Sequence, residues 1–450
     1  MSPVNEHPFL EAILTRHHDD GPRLIYADFL DETGNPRDAA RAELIRVQIA
    51  LARLPFDHPR RAELENRQAD LVLQNEPAWT DLFAGLVASV EFRRGLPELV
   101  VIDAATFLAH GDELFRRTRI GPSTGRSLVR GVRLRDPARV LPRLIACPFL
   151  AEVQELDLCQ GDLGNGGVNL LVRSPHLGGI RTLDLGFNGL DDAGTRILAQ
   201  AGTLTGLRTL KLNDNGHITW DGVRALTESP FFTGLTELDL SGNVINDAGV
   251  RAVAESPGMA RLHSLAIDRN HIGDLGVAVL VGSAMFRRML VRNPHLNLQS
   301  NAIGPVGVEA LAGCSDLARV TGLDLDKNYL GDRGVVTLTR SGRLSALRSL
   351  RLSRNQLADP AAFTLSAALA EMPKLRSLDV SGNRLTWRGV GALRAVAIPR
   401  GISLVVSGNG IDPTVPIAVS ELVAGILQEV AEIEVANLRR RVSHPVHRDS

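Results

Sequence analysis

The chain of 450 residues is longer than the roughly 250–300 residues at which a single globular core stops growing, so it must contain several domains or an elongated repeat array. With 44% hydrophobic and 22% charged residues, it has the composition of a folded protein. Fifty basic residues against 51 acidic ones leave no global charge that would attract nucleic acid or an anionic membrane.

The sequence does not indicate export or insertion into a membrane. Its first residues lack a basic start followed by an apolar run, and no stretch reaches the about 18 apolar residues of a transmembrane helix. Cys147, Cys159 and Cys314 are odd in number and lack CxxC spacing, which favours small reduced core residues. We therefore expect a cytoplasmic protein.

Residues 7–54 predict two or three short helices, with breaks at Asp19–Pro22 and Thr33–Pro36. The residues of this segment that carry a family resemblance are Pro22, Arg23, Leu24, Tyr26, Ala27, Asp28, Leu30, Gly34, Pro36, Arg41, Ala42, Glu43, Ile45, Arg46 and Gln48. On these residues the segment resembles the small repeat-companion domain found ahead of leucine-rich or other repeats in certain bacterial proteins. That family usually has Trp where Phe29 stands and a shorter turn before Arg41. No activity is established for it, so the resemblance implies a helical module and no mechanism.

Two polar groups in this module are candidates for chemistry. The run His17–Asp20 suggests a metal site, but adjacent residues at a helix end point in different directions and no third ligand group follows at a suitable spacing. Asp28, Asp31 and Glu32 can in principle do acid–base work, yet no nucleophile or phosphate-binding loop accompanies them. We expect a solvated helix end and surface charges, with no metal ligands and no catalytic residues.

The next segment, residues 55–127, predicts a linker helix and an N-terminal cap. Pro59–Leu73 is amphipathic, and Val90–Arg117 has the features of a divergent cap that ends in a helix. A cap is needed because the first unit of a repeat array would otherwise expose its core to water.

Nine arginines stand against a single acid, Asp136, between residues 116 and 143. A nucleic-acid patch is one interpretation, but no aromatic residues are interleaved with the arginines for base stacking. We favour a second interpretation, in which Arg133 and Arg135 share a sheet face with Glu155 and Asp157 and pair with them. The remaining arginines are then solvated.

From residue 156 to residue 409 the chain repeats one short phrase ten times, most clearly as LDLGFN, LDLSGN and LDLDKN. The first phrase ends in Gly161 and the other nine end in Asn188, Asn215, Asn243, Asn270, Asn301, Asn328, Asn355, Asn383 and Asn409. The intervals are 27, 27, 28, 27, 31, 27, 27, 28 and 26 residues. A period of this length indicates a solenoid of stacked units, here called coils.

Each coil predicts a short strand, a turn and a helix. The two leucines of L-x-L face the core, and the Asn that follows can bond backbone groups which the strand ladder leaves unsatisfied, so stacked Asn residues form a polar ladder. A Gly six residues after most of these Asn positions implies closely packed backbones. Four residues after the Asn a carboxylate can cap free N–H groups at the helix start, at Asp192, Asp247, Asp274, Asp332 and Asp359.

Over residues 128–411, the pattern L-x-L-x-x-N-x-L-x-D-x-G-V-x-x-L resembles the leucine-rich repeats of the ribonuclease-inhibitor type. The resemblance implies an α/β fold class, namely a leucine-rich-repeat solenoid with a curved parallel β-sheet inside and helices outside, plus the small helical module and end caps. Residues 442–450 form a tail. Residues 412–441 predict a C-terminal capping helix on the apolar positions Val419, Leu422, Val423, Ile426, Val430 and Ile433.

The 31-residue interval carries about one extra helical turn within Gly282–Leu296, which should bulge from the convex face. Met285, Phe286 and Met289 would form a docking knob there, or else belong to a longer helix that packs on its neighbours. We favour the longer helix.

The residue between the two inward leucines should line the concave face of the array. Because parallel strands stack about 4.8 Å apart, these side chains would form one file with more acids than bases. We expect the file to bind a protein segment carrying basic residues. The alternative is that Asp is a consensus residue of this repeat type with no partner. The predicted partner-binding residues are Asp157, Asp184, Lys211, Asp239, Asp324, Arg351 and Asp379.

The repeats contain no Ser/His/Asp, Cys/His or phosphate-cradle arrangement. The sequence therefore favours a non-catalytic protein–protein interaction scaffold without a cofactor. An alternative is a regulator of an enzyme, such as a small-GTPase activator resembling the Ran-GTPase-activating proteins, which are built from similar repeats. Arg269 and Arg354, each just ahead of a ladder Asn, are the candidate residues for that role.

Overall fold

The computed structural model describes residues 6–54, 58, 60–120 and 125–410. The chain forms two compact units. Unit 1 comprises Met1–His217 and Glu228–Leu238, and unit 2 comprises Ile218–Thr227 and Asp239–Ser450. The predicted C-terminal capping helix and tail lie outside the described residues.

Unit 1 begins with four helices, and each of the second and third is capped by the residue before it. Asp19 Oδ1 accepts the Gly21 N–H at 2.9 Å and Asn35 Oδ1 accepts the Arg37 N–H at 3.0 Å, so these side chains fix where the helices start. The four are α1 (His7–Thr15), α2 (Asp20–Glu32), α3 (Pro36–Arg53) and α4 (Arg61–Trp79).

The core of the leading helices continues into the following segment. Leu10, Tyr26 and Ile45 lie in one buried cluster with Leu96 and with Ile120 and Leu128 of the next elements. The Gln48 amide also bonds that segment, since its Oε1 accepts the Gly95 N–H at 2.6 Å. Residues 7–54 are therefore packed into unit 1 through a shared hydrophobic core.

The remainder of unit 1 is a sheet with helices between its strands. Strands β1 and β2 are antiparallel, and from β2 onward the order β2-β5-β6-β7-β8 is parallel, while β3 and β4 form a separate antiparallel pair. The strands are β1 (Ser89–Arg93), β2 (Leu96–Asp103), β3 (Arg119–Ile120), β4 (Arg126–Ser127), β5 (Gly131–Arg135), β6 (Glu155–Asp157), β7 (Thr182–Asp184) and β8 (Thr209–Lys211). The helices are α5 (Ala104–Thr118), α6 (Leu141–Leu144), α7 (Gly164–Leu171) and α8 (Asp192–Ala199).

Unit 2 repeats the same alternation, and its strands β11 to β15 form a parallel sheet in chain order. Helix α9 (Trp220–Glu228) and strand β9 (Glu237–Asp239) are divided between the units. The strands are β10 (Ser264–Ala266), β11 (His295–Asn297), β12 (Gly322–Asp324), β13 (Ser349–Arg351), β14 (Ser377–Asp379) and β15 (Ser403–Val405). The helices are α10 (Asn246–Glu255), α11 (Asp274–Gly282), α12 (Ala284–Arg292), α13 (Pro305–Gly313), α14 (Gly331–Thr339), α15 (Asp359–Ala368) and α16 (Trp387–Ala397). The predicted fold class is confirmed.

The strand register follows the leucine pattern. Leu323 of β12 pairs with Leu350 of β13, which pairs with Leu378 of β14, and all three are buried. Each of these three strands is only three residues long, so its stability comes from the stacked leucine core and from side-chain bonds at the strand exit.

The Asn side chains provide those bonds, and at least eight of the nine donate to a carbonyl of the preceding coil. Asn328 Nδ2 donates to the Leu298 carbonyl of the preceding coil at 2.9 Å and to the Leu325 carbonyl of its own at 3.0 Å, while its Oδ1 accepts the Ile303 N–H at 3.0 Å. Asn355 and Asn383 also bond the preceding coil with both the amide N–H and the amide oxygen, and eight of the nine Asn residues are buried. The first of the ten ladder positions is occupied by Gly161 and has no room for a side chain, because a Cβ there would lie 2.8 Å from Pro137 Cγ.

The carboxylates at the helix starts take N–H groups of the following coil. Asp247 Oδ1 accepts the Gly273 N–H at 2.6 Å, and Asp274, Asp332 and Asp359 make the same bond to the coil that follows each of them. This explains the Gly at some of the repeated positions, because a Cβ on Gly276 would lie 2.5 Å from Asp247 Oδ1, and Gly307 and Gly389 are placed likewise. At Gly249 a Cβ would instead meet Ile245 Cβ at 2.7 Å. One coil departs from the pattern, with the buried Ala361 at the equivalent position.

The long interval contains a separate helix, where an extension of the existing one was predicted. Ser283 ends α11 and caps α12, since its Oγ accepts the Phe286 N–H at 3.1 Å. Met285 and Phe286 are buried against the rest of the unit, so they are not an exposed knob. The large hydrophobic side chain that is exposed on this helix is that of Val291.

Candidate functional site

The predicted partner-binding residues each occupy the last position of a strand, Asp157, Asp184 and Lys211 in unit 1 and Asp239, Asp324, Arg351 and Asp379 in unit 2. The acids share one structural role. Asp324 Oδ1 accepts the Asp326 N–H at 3.0 Å and Asp379 Oδ1 accepts the Ser381 N–H at 2.9 Å, so each carboxylate closes the turn that leaves its strand.

In unit 2 the carboxylates outnumber the cations around β12. Asp324 Oδ2 lies 3.1 Å from Arg351 Nε, and Arg351 Nη2 also bonds Asp326 Oδ2 at 2.6 Å, so a single guanidinium serves two buried acids. Asp268, also buried, pairs with the exposed Arg269 at 3.1 Å. Burial and the negative charges of Asp326 and Asp268 raise the pKa of Asp324 to about 6, although the Asp326 N–H and Arg351 oppose this shift.

In unit 1 the two acids of the file are already paired. Asp157 Oδ2 accepts Arg133 Nε at 2.5 Å, as predicted, and Asp184 Oδ2 accepts Lys211 Nζ at 3.1 Å. The prediction for Arg135 is wrong, because this side chain lies at the end of β5 beside β2 and bonds Asp103 at 3.0 Å.

Glu155 was predicted to pair with an arginine of β5 and instead pairs with Arg93 of β1, whose Nη2 lies 3.0 Å from Glu155 Oε1. The hairpin that places Arg93 there has no counterpart in the repeat pattern, so the sequence carried no signal for this contact.

A cluster with potential metal ligands lies beside these pairs. Asp157, Cys159 and Asp184 each offer one ligand atom within 4.8 Å of the others. All four carboxylate oxygens have partners, the Cys159 N–H, the Gly186 N–H and the two cations above. Burial and the two nearby carboxylates raise the pKa of Cys159, which favours the protonated thiol over the thiolate that a metal needs. The cluster is therefore an ion-pair network in which each carboxylate oxygen already has a partner.

The polar run His17–Asp20 does not converge on one point. The rings of His17 and His18 are in contact, with their centroids 3.7 Å apart and their planes tilted by 48°. Asp19 caps α2, and Asp20 pairs with Arg53 at 2.7 Å. Asp28 and Asp31 of α2 both pair with Arg46 of α3, at 2.7 Å and 2.8 Å.

Arg269 and Arg354, the candidates for a role in GTP hydrolysis, are both engaged within unit 2. Arg269 pairs with Asp268, and the Arg354 side chain packs over Gly382, where an added Cβ would lie 2.7 Å from Arg354 Cγ. Their placement supplies no observation that favours the enzyme-regulator alternative.

Unit 1 also contains a basic cleft that the sequence patterns did not reveal. It has a volume of about 460 Å³, and Arg126, Arg130, Arg181, His17 and Glu152 are among its lining residues. The arginine-rich run was the available signal, but Arg181 and His17 join it only through the fold, and their distance in sequence concealed the cluster.

Comparison with known families finds a match to four stretches of the repeats. A family described as a leucine-rich repeat matches residues 180–196, 234–254, 295–312 and 371–393. The chain contains leucine-rich repeats. Each matched stretch spans one strand and part or most of the helix that follows it.

Among solved structures, an internalin from Listeria monocytogenes is similar to the chain, with 19% sequence identity and a TM-score of 0.39. The similarity covers 77% of this chain and 92% of the internalin chain. No curated protein matches the sequence. None of the helices in the described residues has the length and apolar character needed to cross a membrane.

Proposed function

We propose that the chain is a non-catalytic scaffold whose strand ends in unit 2 bind a protein segment carrying lysine or arginine. Proteins built from leucine-rich repeats serve in general as scaffolds for protein–protein interaction. The proposed contact residues are Asp239, Asp324 and Asp379, with Arg351 between the last two in the register of the sheet.

The observation that carries the proposal is that the turn at the strand end does not require a charge. Asn297 occupies the same position in β11, and its Oδ1 accepts the Gln299 N–H at 3.1 Å, the bond that Asp324 makes in β12. An amide oxygen therefore does the structural work of the carboxylate oxygen. The negative charge of Asp324 and Asp379 is therefore not needed for the turn. Such a charge attracts cations, as the contact of Asp324 with Arg351 illustrates, and Arg351 is shared with Asp326.

The buried position strengthens this argument. Crowding Asp324 with Asp326 and Asp268 costs folding free energy, because like charges in a poorly solvated place repel each other. A basic side chain of a partner would offset that repulsion on binding. Unit 1 lacks this excess, since Asp157 and Asp184 are already matched by Arg133 and Lys211.

The test compares charge-removing variants of the full chain. Fluorescence anisotropy with a labelled lysine- and arginine-rich peptide should show binding that Asp324→Asn combined with Asp379→Asn weakens by roughly fivefold, on the scale of two partly exposed ion pairs. The matched control is Glu255→Gln with Glu309→Gln, which removes two carboxylates from helices α10 and α13 of the same unit.

An aspartate- and glutamate-rich peptide of the same length serves as the second control and should not bind this surface. Equal affinity of both double variants for the basic peptide would refute the proposed site. Added salt should weaken binding to the wild-type chain more than binding to the Asp variant, because screening acts on the charges that the variant lacks.

Finer assignments are part of the same proposal. The ribonuclease-inhibitor type of repeat, the repeat-companion character of residues 7–54, and the division into 7–54, 55–127, 128–411, 412–441 and 442–450 are proposed from the sequence patterns. A cytoplasmic location is supported by the three free cysteines, Cys147, Cys159 and Cys314.

A further inference from the structure

The basic cleft of unit 1 is built where the leading helices meet the first parallel strands. His17 follows α1, Arg126 and Arg130 lie in the segment that runs from β4 to β5, and Arg181 precedes β7. Three segments distant in sequence therefore bring these side chains to one place. None of them belongs to the file of strand-end residues, and the cleft is independent of the proposed peptide site.

The arginines that line the cleft are held in position by the surrounding structure. Arg126 Nη1 donates to the Leu14 carbonyl of α1 at 2.9 Å, and Arg130 Nη2 donates to the Gln154 side-chain oxygen. The Arg181 guanidinium lies directly over Gly206, where an added Cβ would be 1.6 Å from Arg181 Nη1. Each guanidinium has five N–H donors, so these contacts leave donors of Arg130 for a ligand.

Positive charge exceeds negative charge in the cleft. Among the described lining residues, three arginines face one carboxylate, Glu152, and that carboxylate is already paired with Arg119 at 2.7 Å. The difference between three positive charges and one negative charge is a net charge of +2.

Two further arginines, Arg23 and Arg94, lie in a layer behind the lining residues, and each is paired with an acid. Arg23 is buried, pairs with Glu98 and leaves its Nε without a hydrogen-bond partner, and Arg94 pairs with Asp20 at 3.4 Å. Both acids of this layer are therefore matched, and the excess charge of the cleft remains.

The lowered pKa values of Arg130 and His17 are consistent with the excess of positive charge in the cleft. Burial lowers the pKa of Arg130, and Arg23 and Arg126 lower it further, against the opposing effect of Glu98 and Glu155. Burial also lowers the pKa of His17 to about 4, with Arg130, His18, Arg23 and Arg94 adding to the shift. His17 is consequently neutral near pH 7 and presents a hydrogen-bonding imidazole to the cleft.

We propose that this cleft binds a dianionic phosphate monoester, such as a phosphorylated side chain or a free phosphate ester. The net charge of +2 matches the ligand, which carries close to two negative charges near neutral pH. A phosphate monoester offers three acceptor oxygens and close to two negative charges, which several arginines can share, whereas a carboxylate offers two oxygens and one negative charge. Among the described lining residues there is no Phe, Tyr or Trp, so the cleft lacks a stacking surface for nucleic-acid bases.

The test uses isothermal titration of the full chain at constant ionic strength with three probes: inorganic phosphate, a phosphoserine peptide and the same peptide without phosphate. Saturable binding of the phosphopeptide and of phosphate is expected, and the unmodified peptide should not bind. Binding of phosphate alone assigns the cleft to free phosphate esters, and tighter binding of the peptide assigns it to phosphorylated proteins.

Variants then locate the site. Arg130→Gln and Arg181→Gln should each weaken phosphate binding by roughly tenfold, the scale of one charge-assisted hydrogen bond. Arg37→Gln on α3 removes the same charge from an exposed position outside the lining and should leave binding unchanged. Glu152→Gln should tighten binding, because it removes the carboxylate that faces the ligand, and a gain of affinity does not arise from misfolding.

The proposal is overturned if the wild-type chain shows no saturable phosphate binding, if Arg37→Gln weakens it as much as Arg181→Gln, or if Glu152→Gln leaves it unchanged. Circular dichroism of each variant establishes that the chain is folded. Binding of the basic peptide to unit 2 is measured in parallel and should be insensitive to Arg181→Gln, so failure of one site is distinguishable from failure of the other.

Discussion

Replacement of Asp324 by asparagine should make the protein more stable and a weaker binder at the same time. The amide keeps the oxygen that accepts the Asp326 N–H at 3.0 Å, as Asn297 does for its own turn. What the substitution removes is the negative charge beside Asp326 and Asp268, together with the contact to Arg351 at 3.1 Å. Arg351 retains Asp326 as a partner at 2.6 Å, so it is not left unpaired.

The magnitude follows from the pKa of Asp324, which rises from an ordinary value of 3.8 to about 6 in the folded chain. The folded state thus holds this proton more tightly than the unfolded state, so the charge destabilises the fold above pH 6 and has no such effect below pH 3.8. At 1.36 kcal/mol per pKa unit, the difference sets an upper limit of about 3 kcal/mol. This limit already includes the attraction of Arg351, which opposes the rise in pKa. The new amide N–H group of Asn would lie in a buried place and needs a hydrogen-bond partner, so we expect Asp324→Asn to gain about 1–2 kcal/mol.

The assay is urea unfolding of wild type and variant at several pH values. The stability advantage of Asp324→Asn should be full at pH 7.5, shrink as the pH falls through the range between 6 and 3.8, and vanish below it. Asp379→Asn, at the equivalent and more exposed position of β14, is the control and should change stability little. A loss of stability in Asp324→Asn at pH 7.5 would mean that the charge serves the fold, and the case for a binding role would fail.

Three further substitutions test other contacts by the same unfolding measurement. Asn297→Asp adds a carboxylate beside β12 and should cost about 1 kcal/mol at pH 7.5 and nothing at low pH; a pH-independent cost would contradict the role given to charge. Gly276→Ala should cost about 1–2 kcal/mol, because its Cβ would meet Asp247 Oδ1 at 2.5 Å, whereas Gly282→Ala, with no atom within 4 Å, should be neutral or stabilising. Asn328→Ala should cost about 2–4 kcal/mol and speed hydrogen exchange of the preceding coil's amide that it bonds; unchanged exchange would refute that bond.

The fold could be predicted because its signals recur in every coil. Leucines at alternate positions and an Asn at the strand exit are local patterns, and stacking equal coils brings equal residues together in register. The same reasoning could not assign the partner of Asp247, because its carboxylate reaches the N–H of Gly273 in the next coil, 26 residues away. Spacing within a coil does not reveal contacts between coils.

The candidate sites were less predictable than the fold. The pairing of Arg133 with Asp157 follows from adjacent strands, but Arg135 bonds Asp103 because β2 lies on the other side of β5. That neighbour belongs to a hairpin outside the repeat pattern. The basic cleft was missed for the same reason, since it depends on how the leading helices pack against the first strands.

The one-way direction of the asparagine bonds has a consequence for synthesis of the chain. Asn355 donates to the Leu325 carbonyl and Asn383 to the Leu352 carbonyl, so each side chain depends on a turn that was made earlier. A polypeptide leaves the ribosome amino end first. Every newly emerged asparagine in this region therefore finds its acceptor carbonyl already synthesised, so these bonds can form in the order of synthesis. The carboxylates at the helix starts, such as that of Asp247, form their bonds only when the following coil has emerged.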